Sequence, residues 1–170
     1  MMRGQEQAPA PLADASRLRI AIIVARFNAF VTDRLRDGAV AALREAGAAE
    51  SAIEIFPVPG AFEIPQAARA AAETGRFDAV VCLGCLIRGD TPHFDYIAAA
   101  AAQGITAAAG DTGVPMAFGV LTTNTTEQAV ERAGEGRDNK GREAAAAAIE
   151  MATLYRALAS TQSRPSGFRV

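Results

Sequence analysis

The 170-residue sequence has no tryptophan, two tyrosines, two cysteines and a single histidine, and only 6% of it is aromatic. Each scarcity excludes something. The formal charge of −2, with no long block of one sign, provides no electrostatic footprint for nucleic acid or an anionic membrane, so neither partner is expected. The opening stretch MMRGQEQAPAPLADASR lacks the apolar run of a secretory signal, and IAIIVA is too short to span a bilayer. A cytoplasmic location is expected. No GxGxxG follows a strand-like run and no GxxxxGK(S/T) occurs, which removes the two commonest fingerprints of dinucleotide and nucleoside-triphosphate sites.

Both cysteines lie in CLGC, Cys82 and Cys85, with the spacing of a redox pair. They sit, however, inside the apolar run AVVCLGCLI. Residues three apart on a strand point to opposite faces, roughly 10 Å apart, beyond disulfide reach. Two reduced core thiols are expected, and no metal site.

What the chain does have is apolar and alternating. With 50% hydrophobic residues it suits one domain around one core. Positions 1–17, rich in Ala, Pro and Gln, and the tail 160–170 read as disordered, leaving 18–159 as the domain. The β-branched run 18–27 reads as a strand buried on both faces. A helix follows, with Thr32 as N-cap, Leu35, Ala39, Ala42 and Leu43 on one face, and a stop at Gly47. Positions 52–58 are a second strand. The segment 61–75 is a helix that tolerates Pro65 only in its first turn. A third strand at 79–87, an Ala-rich helix from Phe94 to Gly110, a fourth strand at 114–122 and two final helices complete the pattern. Thr125 and Gln128 form a capping box for the first of those two helices. Strands alternating with helices predict an α/β fold, a three-layer α/β/α sandwich with a four-stranded parallel sheet.

In such sheets ligands bind beyond the carboxyl ends of the strands. The residues there are Arg26, Phe27 and Asn28, then PGAFE, then RGDTPHFD, then TTNTT. Phe27 and Phe62 are either core residues or a stacking platform for a planar heterocycle. Glu63 is either a ligand-binding carboxylate or a first-turn acid suited to the helix dipole. His93 has a structural reading too, but its place in a Gly-Asp-Thr-Pro turn favours chemistry, since an imidazole can take and give a proton near neutral pH. Gly89 frees backbone donors, Thr91 adds a hydroxyl and Pro92 stiffens the turn. Arg132, Arg137, Lys140 and Arg142 cluster around RAGEGRDNKG. Arg137 and Arg142 read as solvated helix ends, while Arg132 and Lys140 are candidates to hold a phosphate.

Taken together, ARFN, VPGAFEIP, IRGDTPHFDYIA, PMAFGVLTTNTTEQAVERAG and NKGREAAAAAIEM, in this order and spacing, closely resemble the lumazine synthase family of riboflavin biosynthesis. The likeness runs from about residue 19 to residue 157. It implies a flavodoxin-like fold and a condensation that uses no cofactor. The two small-molecule substrates would be 5-amino-6-(D-ribitylamino)uracil and L-3,4-dihydroxy-2-butanone 4-phosphate.

Carried over by position, the resemblance implies that Phe27 stacks on the pyrimidine and that Ala61, Phe62 and Glu63 bind its ring and ribityl chain. Cys85, Leu86 and Ile87 would meet the pyrimidine edge. Asp90 and Thr91 would sit by the butanone phosphate, and His93 would transfer protons. Phe118, Arg132 and Lys140 would come from a neighbouring subunit, Arg132 on the phosphate. The resemblance further implies a site shared within pentamers or larger shells, with riboflavin synthase as a candidate partner. Cys85-Leu86 stands where a smaller Ala-Val type pair is usual, Ala29 where an acid is common and Asp138 where glycine often stands.

Overall fold

A computed structural model describes residues 10–162. Four strands, β1 (Ile20–Ala25), β2 (Ile53–Val58), β3 (Ala79–Ile87) and β4 (Met116–Thr123), form one parallel sheet in the order β2-β1-β3-β4. Five helices accompany them: α1 (Ala29–Glu45), α2 (Ile64–Glu73), α3 (His93–Thr112), α4 (Thr126–Arg132) and α5 (Lys140–Gln162). Single 3-10 turns at Glu50–Ala52 and Ala61–Glu63 lead into β2 and α2. The strand order, reversing beside β1, is that of the flavodoxin-like α/β/α sandwich. Among the described residues no helix is long and apolar enough to cross a membrane.

The alternation of side chains along the central strands builds two cores. Ile20, Ile22 and Val24 of β1 and Ala79, Val81 and Leu83 of β3 face α1 and α5, whereas Ala21, Ile23, Val80 and Cys82 face α2 and α3. β1 is buried along its whole length. Leu35, Ala39, Ala42 and Leu43 of α1 are fully buried, as the helical spacing predicts. Burying each of the two leucines contributes roughly 1.5–3 kcal/mol.

Backbone-close packing locks the helices together. A Cβ on Gly141, in the first turn of α5, would collide with the Leu35 carbonyl oxygen of α1. Gly104, which weakens α3 by propensity, lies where a Cβ would come within 2.7 Å of Pro65 on α2. Helix contact therefore accounts for a residue that helix propensity disfavours. The edge strand β2 carries Pro57 opposite Val24, a position where a missing donor is tolerated.

Three local expectations change. α1 begins at Ala29, not after Thr32. Asn28 precedes it in the left-handed region (φ 61°, ψ 43°) and its carbonyl accepts from the amides of Val31 and Thr32. The buried Thr32 hydroxyl instead donates to the Ala25 carbonyl at 2.7 Å, tying the first turn of α1 to the end of β1. At the N-terminal end, positions 1–9 lie outside the described residues, but 10–17 are not loose. Ala15 is fully buried, its amide donates to the Ala46 carbonyl at 2.8 Å, and Leu12 and Ala13 pack against the core, so the packed chain begins before Leu18. At the other end α5 continues to Gln162, past 159, and positions 163–170 lie outside the described residues. The capping box forms, with Thr125 Oγ1 accepting from the Gln128 amide at 3.2 Å. Gln128 Oε1, however, reaches back to the amide of Asn124.

Candidate functional site

Beyond the carboxyl ends of β1, β2 and β3 the chain opens a cleft of about 530 Å³. Phe27, Ala61, Phe62, Glu63, Leu86, Ile87, Thr91 and His93, each expected at the site, line it. Phe27 and Phe62 are 67% and 56% exposed, so neither is a core residue and both rings are available for stacking. Glu63 closes the 3-10 turn ahead of α2, with a carboxylate oxygen near the space a Cβ of Gly60 would occupy. His93 is the first residue of α3, placed there by Pro92.

The loops are braced to one another. The Phe27 amide donates to the Pro59 carbonyl at 3.1 Å, and Asn28 Nδ2 donates to the Cys85 carbonyl at 2.9 Å. The Arg88 amide donates to the Thr123 carbonyl at 2.8 Å. The Arg88 guanidinium lies 4.6 Å from the centre of the Phe94 ring, pairs with Asp95 at 3.1 Å and donates to Asn124 Oδ1 at 3.1 Å. It thereby fixes the two residues that follow His93. Phe94 and Ile97, also in the lining, escaped the sequence reading. Their signal was the helical spacing of an apolar pair one turn apart, starting beside His93.

Two expected residues are not brought into this cleft. The Cys85 side chain is buried on the opposite face of the sheet, among the residues packed on α1 and α5, because strand alternation sends 79, 81, 83 and 85 to that face. Only its carbonyl is directed to the site loops. Cys82 lies in the other core, so the sheet separates the two thiols and both are free. Burial pushes Cys82 up to about 12 and Cys85 up to about 11. Asp90 is exposed in the same loop as Thr91 but does not line the cleft.

Phe118, Arg132 and Lys140 gather elsewhere, in a cleft of about 400 Å³ along the outer edge of β4. The two clefts share no lining residue. Phe118 pairs in register with Cys82, four residues before Leu86, which separates the two levels by roughly 13 Å along the strands. Arg132, in the last turn of α4, donates to the Gln128 carbonyl at 3.0 Å and makes no ion pair among the described residues. Lys140 opens α5 and is held by Glu143 at 2.9 Å. A wider groove between α1 and the α4–α5 junction contains none of the expected site residues, and its Arg142 is engaged by Glu45.

The parallel sheet in the order β2-β1-β3-β4 with helices on both faces defines a flavodoxin-like α/β protein, and it carries a strand-end cleft with two exposed rings and a single imidazole and, apart from it, a cationic cleft. Residues 17–156 match the family model described as 6,7-dimethyl-8-ribityllumazine synthase. The chain belongs to that family. It is 55% identical over 144 residues, covering 85% of this chain and 93% of the relative, to the 6,7-dimethyl-8-ribityllumazine synthase of Chlorobium phaeovibrioides. It is 52% identical over 142 residues, 84% and 92% of the two chains, to that of Chlorobium luteolum.

Proposed function

We propose that the protein acts in riboflavin biosynthesis as a transferase, condensing 5-amino-6-(D-ribitylamino)uracil with L-3,4-dihydroxy-2-butanone 4-phosphate to 6,7-dimethyl-8-ribityllumazine. Family membership over most of the chain supports this reading. The observation that carries it to particular residues is a cleft lined by one imidazole, two exposed aromatic rings and a carboxylate.

Phe27 stacks on the pyrimidine, Ala61, Phe62 and Glu63 take its ring and ribityl chain, and Leu86 and Ile87 meet its edge. Cys85 contributes backbone alone. Thr91 and Asp90 approach the phosphorylated ketone. The pyrimidine amine attacks the ketone and loss of water gives an imine. Phosphate is then expelled, the resulting enol tautomerises to a ketone, and the ribitylamino nitrogen attacks that ketone and loses a second water to close the ring. Every step moves a proton, and His93 both accepts and returns it. Holding the two substrates in register supplies much of the remaining rate.

The phosphate needs cations, and the cleft that holds His93 offers none in its lining. We assign that role to Arg132 and Lys140, with Phe118, of a second copy whose β4 edge closes over the first copy's strand-end cleft. Such a shared site makes the active form a homo-oligomer, a pentamer or a larger shell of pentamers, in the cytoplasm. Riboflavin synthase, which would consume the product, is the candidate partner.

Mixing the purified protein with both substrates and following lumazine absorbance tests the reading. Product should form well above the spontaneous rate, and formation at only that rate would overturn it. Light scattering on a sizing column tests assembly. A fully active monomer would remove the shared site.

A further inference from the structure

We infer that Asn28 is a positioning residue, which aims the Phe27 ring and joins two walls of the strand-end cleft without itself touching substrate. The inference rests on the reading of Phe27 as the stacking platform. Phe27 is two-thirds exposed, so core packing does little to orient its ring. Its direction is set by its backbone. That backbone is held on one side by the Phe27 amide on the Pro59 carbonyl, at the end of β2. On the other side it is turned by Asn28, the only non-glycine residue with positive φ among the described residues.

A left-handed conformation is disfavoured for any residue with a Cβ, least so for asparagine. Here a contact holds it in place. Asn28 Nδ2 donates at 2.9 Å to the carbonyl of Cys85, 57 positions away in sequence, on the strand whose next two residues, Leu86 and Ile87, line the cleft. The same residue therefore fixes the exit of β1, starts α1 and ties the ring-bearing wall to the wall that meets the pyrimidine edge. Strain at one position beside a binding cleft, matched by a long-range hydrogen bond, is the pattern of a preorganised site.

Two substitutions isolate the role. Asn28→Gly keeps the left-handed conformation and removes the donor. Asn28→Asp keeps the conformation and nearly the same side-chain shape, and also removes the donor. Titration calorimetry with 5-amino-6-(D-ribitylamino)uracil alone should show binding weakened by about threefold to tenfold in each folded variant, the range that one lost hydrogen bond produces. In turnover the KM for the pyrimidine should rise by the same factor, while kcat and the KM for the phosphate substrate stay within about twofold, a split that general loosening of the fold would not give. In a Phe27→Ala background Asn28→Gly should add nothing further to the loss of binding. Wild-type pyrimidine affinity in both variants, or full additivity with Phe27→Ala, would overturn the inference. A wild-type protein that neither binds the pyrimidine nor forms lumazine would instead sink the proposed function, and this inference with it.

Discussion

The cleft around His93 is lined by rings and aliphatic side chains drawn from loops that follow three different strands. The cleft around Arg132 takes its two cations from the last turn of one helix and the first residue of the next. One is pre-shaped by hydrogen bonds that cross between loops. The other is an open edge whose lysine is occupied by a neighbouring glutamate. On the proposed reading, the difference separates two kinds of chemistry that the condensation needs together. Proton transfer and stacking require a partly enclosed, rigid surface, whereas a leaving phosphate requires strong donors that can let it go. On the proposed reading, with the two levels roughly 13 Å apart in strand register in a single copy, neither cleft is complete alone.

The sharpest way to break this contrast is a mixing experiment. His93→Ala and Arg132→Ala damage different clefts, the first lowering turnover by as much as about 100-fold and the second weakening the phosphate substrate. When the two variants are refolded together, copies that pair an intact strand-end cleft with an intact β4 edge should recover activity that neither variant shows alone. No recovery would place both clefts in one functional unit per chain. Arg132→Ala by itself should raise the KM for the phosphate substrate by roughly 10- to 100-fold, the loss expected for hydrogen bonds to a charged group. Pyrimidine affinity should be nearly unchanged, and equal losses for both substrates would merge the two clefts into one.

A smaller effect tests the closed back of the His93 cleft. Burial raises both thiols, so at pH 8 only roughly one part in a thousand of a Cys85 with a pKa of about 11 is thiolate. At pH 8 an aromatic disulfide reagent should therefore react only very slowly with either cysteine until the protein is unfolded. The rate should climb as pH rises toward 11, because the thiolate is the attacking form. Rapid reaction at pH 8 would mean that the sheet behind Leu86 opens to solvent. The smallest effect belongs to Glu143→Gln, which releases Lys140 from an exposed pair and should change stability by less than about 0.5 kcal/mol. The KM for the phosphate substrate should fall by less than about threefold. A rise would make Glu143 the group that orients Lys140.

Much of this was legible in the sequence because it depends on period and punctuation. The bounds of β3, the buried face of α1 and the cleft beyond the strand ends all follow from alternation and from Gly-Pro-rich strand endings. The opposite facing of Cys82 and Cys85 followed as well, but not which of them would face α1. That choice depends on the register of β3 against its neighbours, which no local pattern carries. Thr32 illustrates a second limit. A threonine near the start of a helix reads as a cap, yet a β1 carbonyl seven residues earlier proved the better acceptor. The packing of residues 10–17 was hidden because Ala and Pro signal little by composition. Their order comes from Ala46 and the core they meet. Likewise, the separation of Arg132 from His93 entered only through family resemblance, since charge spacing along a chain does not report on which side of a sheet the charges fall.

Pro57 carries a last consequence, one that concerns the newly made chain. β2 lies at the edge of the sheet with Ile55 partly exposed, and a bare strand edge is a template on which other chains can add and aggregate. A proline there withholds one donor from any such addition. The exposed edge of the newly folded sheet is thereby a weaker template for strand addition by other chains.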